Sequence, residues 1–328
     1  MFGAVVSILL AAIPAVSQGA LKGVYLAVLV MGVMAAFEAV LPLPAAAQFM
    51  EANISAGRRL FDIVREKPAV IDAAQAQELP SVPLSLAFEN VTFTYPKNER
   101  PALRNISFRI PAGAKIAVVG PSGAGKSSLA QLLLRLYDFE KGKILLNGRD
   151  IRQFKQESIR ERVAFVSQKF HLFTGTIGEN LRLVNPRLSD QALLDLLRLV
   201  ELHADDLQSD SPLDYWIGEH GNRLSGGQAQ RLAIAQALCK PASLLVFDEI
   251  TANLDPQTEQ RVLHNLFERY RTHTIINITH RLIGMEKYDR ILVFREGILA
   301  EEGSHQTLMQ QGTVYRHMVA VQQEQNML

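Results

Sequence analysis

The chain has a single cysteine, Cys239, so it forms no internal disulfide and suits a reducing compartment. Cys239 follows an apolar helical stretch (232–238), which makes a packed, inert thiol the expectation. Net charge is almost absent, at +1 over 328 residues, and this argues against a nucleic-acid polyelectrolyte role. No internal repeat is visible. Charge is scarcest at the amino end, where residues 1–57 carry only Lys22, Glu38 and Glu51. Everything after Arg58 has the composition of a soluble domain. The chain therefore has a membrane end and an aqueous end.

Residues 1–21 hold no charged side chain. A secretory signal peptide would need a positive n-region before its apolar core, and none is present. Ala15-Val16-Ser17 could serve as a cleavage site, but a second apolar segment follows at once. From 23 to 47 the one charge is Glu38. A helix of that length spans about 37 Å at 1.5 Å per residue, enough for a bilayer core of about 30 Å. Residues 5–16 reach only about 18 Å by the same rise. The pattern predicts two apolar helices joined by a turn at 17–23, the second continuing past residue 45. Arg58, Arg59, Arg65 and Lys67 cluster beyond it and place that side in the cytoplasm. An ionised carboxylate at membrane depth usually faces protein or water. For Glu38, just before Leu41-Pro-Leu-Pro44, two readings stay open: lining a path, or capping a kink at the prolines. Residues 68–83, rich in Ala, Gln and Pro, read as a linker.

The aqueous end is organised around residues 120–128, which read Gly-Pro-Ser-Gly-Ala-Gly-Lys-Ser-Ser. Before them runs the β-branched stretch 115–119, suited to a strand buried on both faces. After them Leu129, Leu132, Leu133 and Leu136 recur at helical spacing. Strand, glycine loop and helix make a phosphate cradle, in which backbone N–H groups converge on phosphate oxygens at a positive helix end. Gly120, Pro121, Ser122, Gly123, Ala124, Gly125, Lys126, Ser127 and Ser128 form the expected loop. Lys126 is placed to reach the β- and γ-phosphates, and Ser127 to ligate Mg²⁺.

Four polar positions follow apolar strand patterns: Gly120, Gln168, Asp248-Glu249 and His280. Ligands of open α/β sheets bind at the carboxyl ends of strands, so one fold rule gathers all four around one nucleotide. Asp248 suits Mg²⁺, directly or through water. Glu249 suits a general base for the attacking water. His280 and Gln168 suit the γ-phosphate, that water or the metal shell. Leu224-Ser225-Gly226-Gly227-Gln228 is a second glycine turn opening onto a helix. One site hardly needs two such cradles, so a head-to-tail dimer is expected, each chain closing over its partner's ATP; the simpler alternative is a Ser225 helix cap.

Residues 84–328 resemble the nucleotide-binding domain of ABC transporters. The resemblance rests on the phosphate loop, Gln168, the 224–228 signature, the 244–248 strand with Glu249, Asn253-Leu-Asp255 and His280. It implies an α/β P-loop NTPase fold with a mixed-sheet core and a helical subdomain, preceded by an α-helical transmembrane hairpin. It further implies ATP and Mg²⁺ as cofactors, Tyr95 stacking on adenine, Asp255 in the dimer contact, and Gln168 beside Ser127 and Asp248 near the metal. Ile250 and Gln236 depart from the commonest family residues without touching these roles.

Residues 1–67 resemble the last two of the six membrane helices of an exporter half-transporter, which would leave four preceding them. Ala36-Phe-Glu-Ala39, Tyr215-Trp-Ile-Gly218 and Thr279-His-Arg-Leu-Ile-Gly284 are most similar to CydC-type subunits of thiol reductant exporters. That likeness implies export of glutathione and cysteine, a CydD-like partner (or a homodimer), membrane lipid around the helices, and a bacterial inner-membrane setting with the nucleotide domain cytoplasmic. Lipid- and multidrug-type half-transporters share most of these features. A soluble DNA-repair or chromosome ATPase shares the signature but leaves residues 1–67 unexplained.

Overall fold

The computed structural model describes residues 1–66, 68–250 and 253–327. It divides into two compact units, residues 1–68 and 69–328. Among the described residues, the first unit holds three helices: α1 (Phe2–Ser17), α2 (Val24–Val40) and α3 (Pro42–Arg65). Helices α1 and α2 pack against each other through the turn between them. Leu41 keeps helical angles between α2 and α3, and Pro42 stands where a helix start needs no N–H. The run Val24–Arg65 is therefore nearly one helix, long and apolar enough to cross a membrane. At 16 residues, α1 spans only about 24 Å.

Among the described residues, the second unit holds ten strands: β1 (Leu86–Phe93), β2 (Leu103–Ile110), β3 (Lys115–Val119), β4 (Lys141–Leu146), β5 (Arg149–Asp150), β6 (Val163–Val166), β7 (Leu244–Asp248), β8 (Thr274–Ile278), β9 (Arg290–Arg295) and β10 (Ile298–Gly303). Its helices are α4 (Lys126–Leu133), α5 (Gln156–Arg162), α6 (Ile177–Arg182), α7 (Asp190–Leu199), α8 (Ala204–Leu207), α9 (Gly226–Leu238), α10 (Pro256–Arg269), α11 (His305–Gln311) and α12 (Val314–Met327). Strands β2-β1-β4-β5 form an antiparallel sheet, and β10-β9-β3-β8-β7-β6 a second, mixed one. In the second sheet only the β10–β9 pair is antiparallel. Strands β3, β7 and β8 are buried along their whole length, as continuous β-branched and aliphatic runs in a covered parallel sheet must be. The core between the two sheets is apolar, with Phe88 stacked on Phe108 at 4.6 Å. Helices α6 to α9 gather a second apolar cluster around Leu193, Leu197, Leu232 and Phe247 and form a helical subdomain.

Two elements differ from the sequence pattern. The phosphate-loop helix ends at Leu133, because Arg135 turns to φ +48°, so Leu136 falls outside it and is exposed. Strand β10 has no period-two signal; it is seen only through its pairing with β9. The stretch read as a linker is pinned to the second unit from residue 72 on. Asp72 accepts from Gln156 N at 3.1 Å, and Leu79 N donates to Ser158 Oγ at 2.6 Å with its own side chain buried.

Candidate nucleotide site

Strand order builds the site. Strands β3, β8, β7 and β6 are consecutive neighbours, all parallel, so their carboxyl ends form one row. Along that row come the loop opening at Gly120, then His280, then Asp248 with Glu249, then Gln168. Adjacent strands lie about 4.8 Å apart, which brings these positions within side-chain reach of one another.

The loop between β3 and α4 is shaped by glycine. Gly120, Gly123 and Gly125 have φ of +151°, +77° and +96°. A Cβ on Gly120 would lie 2.2 Å from the Phe294 carbonyl oxygen, and one on Gly125 2.5 Å from that of Ala102. Close backbone approach at these two points is what lets the chain turn back on itself. Ala124 N donates to Pro121 O at 3.2 Å and closes the turn. Pro121, Ser122 and Gly123 form its exposed crest. The buried Lys126 ammonium donates to Gly120 O at 2.8 Å and Pro121 O at 2.9 Å. Burial lowers its pKa, while the charges of Glu249 and Asp248 raise it in opposition.

Asp248 is buried at the end of β7. Burial raises its pKa above the usual carboxylate range; a hydrogen bond from Ser127 opposes this, Glu249 adds to it and Lys126 counters it. An aspartate and a hydroxyl held together at a loop rich in N–H groups form a hard-oxygen donor set, the kind Mg²⁺ takes alongside phosphate oxygens. The residues present fit that ion.

Glu249 is held in the left-handed region at φ +54°. Its N–H donates to Ile278 O on β8 at 2.8 Å. Gln168 Nε2 donates to Glu249 Oε2 at 2.7 Å, and His280 Nδ1 lies 3.6 Å from Glu249 Oε1. Three residues from three strand ends, 81 positions apart in the Gln168–Glu249 case, thus meet at one carboxylate.

Tyr95 stands beside the loop helix. Its hydroxyl is 2.9 Å from Ser128 Oγ and donates to Gln131 Oε1 at 2.8 Å, and its ring packs edge-on against Phe93 and Tyr137.

The signature turn opens α9. Ser225 Oγ accepts from Gln228 N, and the Gln228 side chain accepts from Ser225 N, a reciprocal cap of the helix start. Gln228 Nε2 also donates to Asp206 O at 2.7 Å. Leu224 is half-buried against the helical subdomain. Cap and glycine turn coexist here, and among the described residues the side chains of Ser225 and Gln228 bond within the turn and to Asp206 O, not to residues 120–128. Asp255 caps α10, accepting from Gln257 N and Thr258 N. Its neighbours Thr251 and Ala252 lie outside the described residues.

The ABC transporter family model matches residues 103–252. This unit is an ABC transporter ATP-binding domain. The CydC glutathione/L-cysteine transport system ATP-binding/permease protein of Escherichia coli (strain K12) is 38% identical over 314 residues, 95% of this chain and 54% of that protein. An ATP-dependent lipid A-core flippase of Salmonella typhimurium (strain LT2) is 42% identical over 238 residues, 72% of this chain and 41% of the flippase. Among solved structures, a bacterial Atm1-family ABC exporter with ATP bound superposes with a TM-score of 0.79 at 33% identity, covering 97% of this chain and 55% of the exporter. The chain spans about half the length of the curated relatives it matches.

Sequence reasoning missed two side chains of the ATP-binding domain that touch this site's backbone. Gln230, on α9, reaches the Glu249 carbonyl, and Gln322, on α12, donates to His280 O at 3.0 Å. Neither belongs to a glycine turn or ends a strand, so no local pattern marks them.

Proposed function

We propose that this chain is the ATP-hydrolysing half of an ABC exporter. The observation that carries the reading is the meeting of Gln168 and His280 on Glu249, beside Asp248, Ser127 and Lys126. In this reading the 120–128 loop holds the phosphates through backbone N–H groups, and Lys126 neutralises the β- and γ-phosphates. Ser127, Asp248 and Gln168 hold Mg²⁺, which when bound supplies charge neutralisation on the phosphate oxygens. Glu249 takes the proton of the attacking water, with Gln168 and His280 fixing its carboxylate. Tyr95 stacks on adenine. Leu224, Ser225, Gly226, Gly227 and Gln228 close over the ATP of a second half-transporter, and Asp255 lies in that contact. Residues 1–67 belong to the membrane domain, 68–83 connect it, and 84–328 form the nucleotide-binding domain, cytoplasmic at a bacterial inner membrane.

Glu249→Gln tests the chemistry. ATP binding should persist while turnover falls about 10²–10⁴-fold, the usual worth of a general base. Unchanged steady-state hydrolysis in the assembled transporter removes Glu249 from the base role.

For the cargo, glutathione and cysteine are favoured, with a CydD-like partner chain. The supporting observation is coverage: the match to the E. coli CydC protein extends over 95% of this chain and so takes in the apolar helices, whereas the flippase match stops at 72%. Lipid export is the second reading, supported by the 42% identity of that flippase. Uptake of labelled glutathione into inverted vesicles, set against labelled lipid, separates the two.

A further inference from the structure

Gln230 is 2% exposed, the second residue of its kind in the first turns of α9 after Gln228. A buried primary amide is costly unless both its ends are bonded. Here both are. Nε2 donates to Glu249 O at 3.3 Å, and Oε1 accepts from Asn253 N at 3.1 Å. Glu249 carries an unfavourable left-handed backbone, which persists only where the surroundings over-determine it. On its amino side the β8 carbonyl of Ile278 holds its N–H. Among the described residues, Gln230 is the side chain bonded to its carbonyl.

The same amide joins Glu249 to the glycine turn. Gly226 and Gly227 lie against Asn253: a Cβ on Gly227 would sit 3.2 Å from Asn253 O, and one on Gly226 3.7 Å from Asn253 Cβ. Ser225 caps α9 firmly, so the turn and Gln230 belong to one rigid first stretch of helix.

We infer that Gln230 is a positioning residue for Glu249, setting its backbone from α9 and tying it to the glycine turn at 225–227. The inference rests on the roles proposed above for Glu249 and the turn. Gln230 acts through backbone, its amide bonded to Glu249 O at one end and Asn253 N at the other.

The test uses the complete, membrane-reconstituted transporter. Gln230→Met keeps the volume and neither bond; Gln230→Glu keeps an acceptor for Asn253 N and loses the amide donor toward Glu249 O. Both should lower kcat about 10- to 100-fold, as small misplacements of a reacting group do, with KM for ATP within about twofold. A parent-like kcat in either folded variant overturns the inference, as does a rise in KM at unchanged kcat. If the Met variant does not assemble, the Glu variant decides; failure of both assigns Gln230 to folding alone and also overturns it. Losses from Ser225→Ala and Gln230→Met should be less than additive when combined, and full additivity breaks the proposed tie to the turn. Glu249→Gln run in parallel keeps the two questions apart: retained turnover there defeats the base assignment whatever Gln230 does.

Discussion

Asp72 Oδ1 accepts from Arg135 Nη1 at 3.2 Å, joining the stretch ahead of the first strand to the far end of the phosphate-loop helix. Arg135 is 2% exposed and also donates to Phe154 O at 3.0 Å, while Asp72 accepts from Gln156 N and Nε2. A buried guanidinium depends on its partner, since removing one member of a buried pair leaves the other charge uncompensated. Asp72 is partly exposed and Arg135 keeps a carbonyl, which moderates the loss. Asp72→Ala should destabilise the ATP-binding domain by about 1–3 kcal/mol, read as a lower urea midpoint at unchanged slope. A parent-like midpoint would show that the pair contributes nothing.

The loop glycines are not equivalent. Gly120 has a backbone oxygen where a Cβ would go, whereas Gly123 has nothing within 4 Å and only its φ of +77° to satisfy. Gly123→Ala should cost about 1–2 kcal/mol of local strain and keep measurable ATP affinity. Gly120→Ala should lose ATP binding altogether, as should Lys126→Ala for lack of the ammonium. Titration with a fluorescent ATP analogue orders the three; Gly120→Ala binding as well as Gly123→Ala would contradict the geometry.

Cys239 is buried at the end of α9, its Sγ against Ala235 O, and burial pushes its thiol up to about 12. The thiolate is the reactive form, so the folded chain should resist alkylation at pH 8 and react fully once unfolded. The same shift has a sign for stability. Unfolding returns the thiol to its ordinary value of 9.0, so between there and about 12 the unfolded state holds fewer protons. Stability is whole below pH 9 and falls as pH rises through that window. Alkylation with and without denaturant, followed by mass, checks the first part directly.

Gln322 spans the backbone on both sides of Arg281: it donates to His280 O at 3.0 Å and accepts from Leu282 N at 2.6 Å. Helix α12 thereby fixes the segment that aims His280 at Glu249. Gln322→Ala should lower kcat about 3- to 10-fold, an amount fitting a displaced rather than a deleted group, with ATP affinity preserved. Steady-state kinetics of the assembled transporter give both constants, and an unaltered kcat would detach α12 from catalysis.

Much of the candidate nucleotide site was legible because its signals are local. A β-branched run, a glycine loop and an amphipathic helix announce themselves within twenty residues, and each strand-end polar residue follows its own apolar run. The cap at Ser225 was visible for the same reason, with Gln228 three residues on. Periodicity misled at Leu136, where a leucine in register lies past a left-handed Arg135, and it was silent at β10, which owes its strand form to β9.

The residues proposed for the chemistry, from Gly120 and Lys126 to Asp248, Glu249 and His280, and the contrast between a charge-poor and a charged end, were read from the sequence alone. These are properties of composition and short-range spacing. The tertiary structure decided which residues hold those groups in place: the β3-β8-β7-β6 order, Gln230 and Gln322 on Glu249 and His280, and Arg135 on Asp72. Such contacts join positions distant in the chain through single hydrogen bonds, and a glutamine facing a carbonyl leaves no periodic trace. Only packing brings the two together.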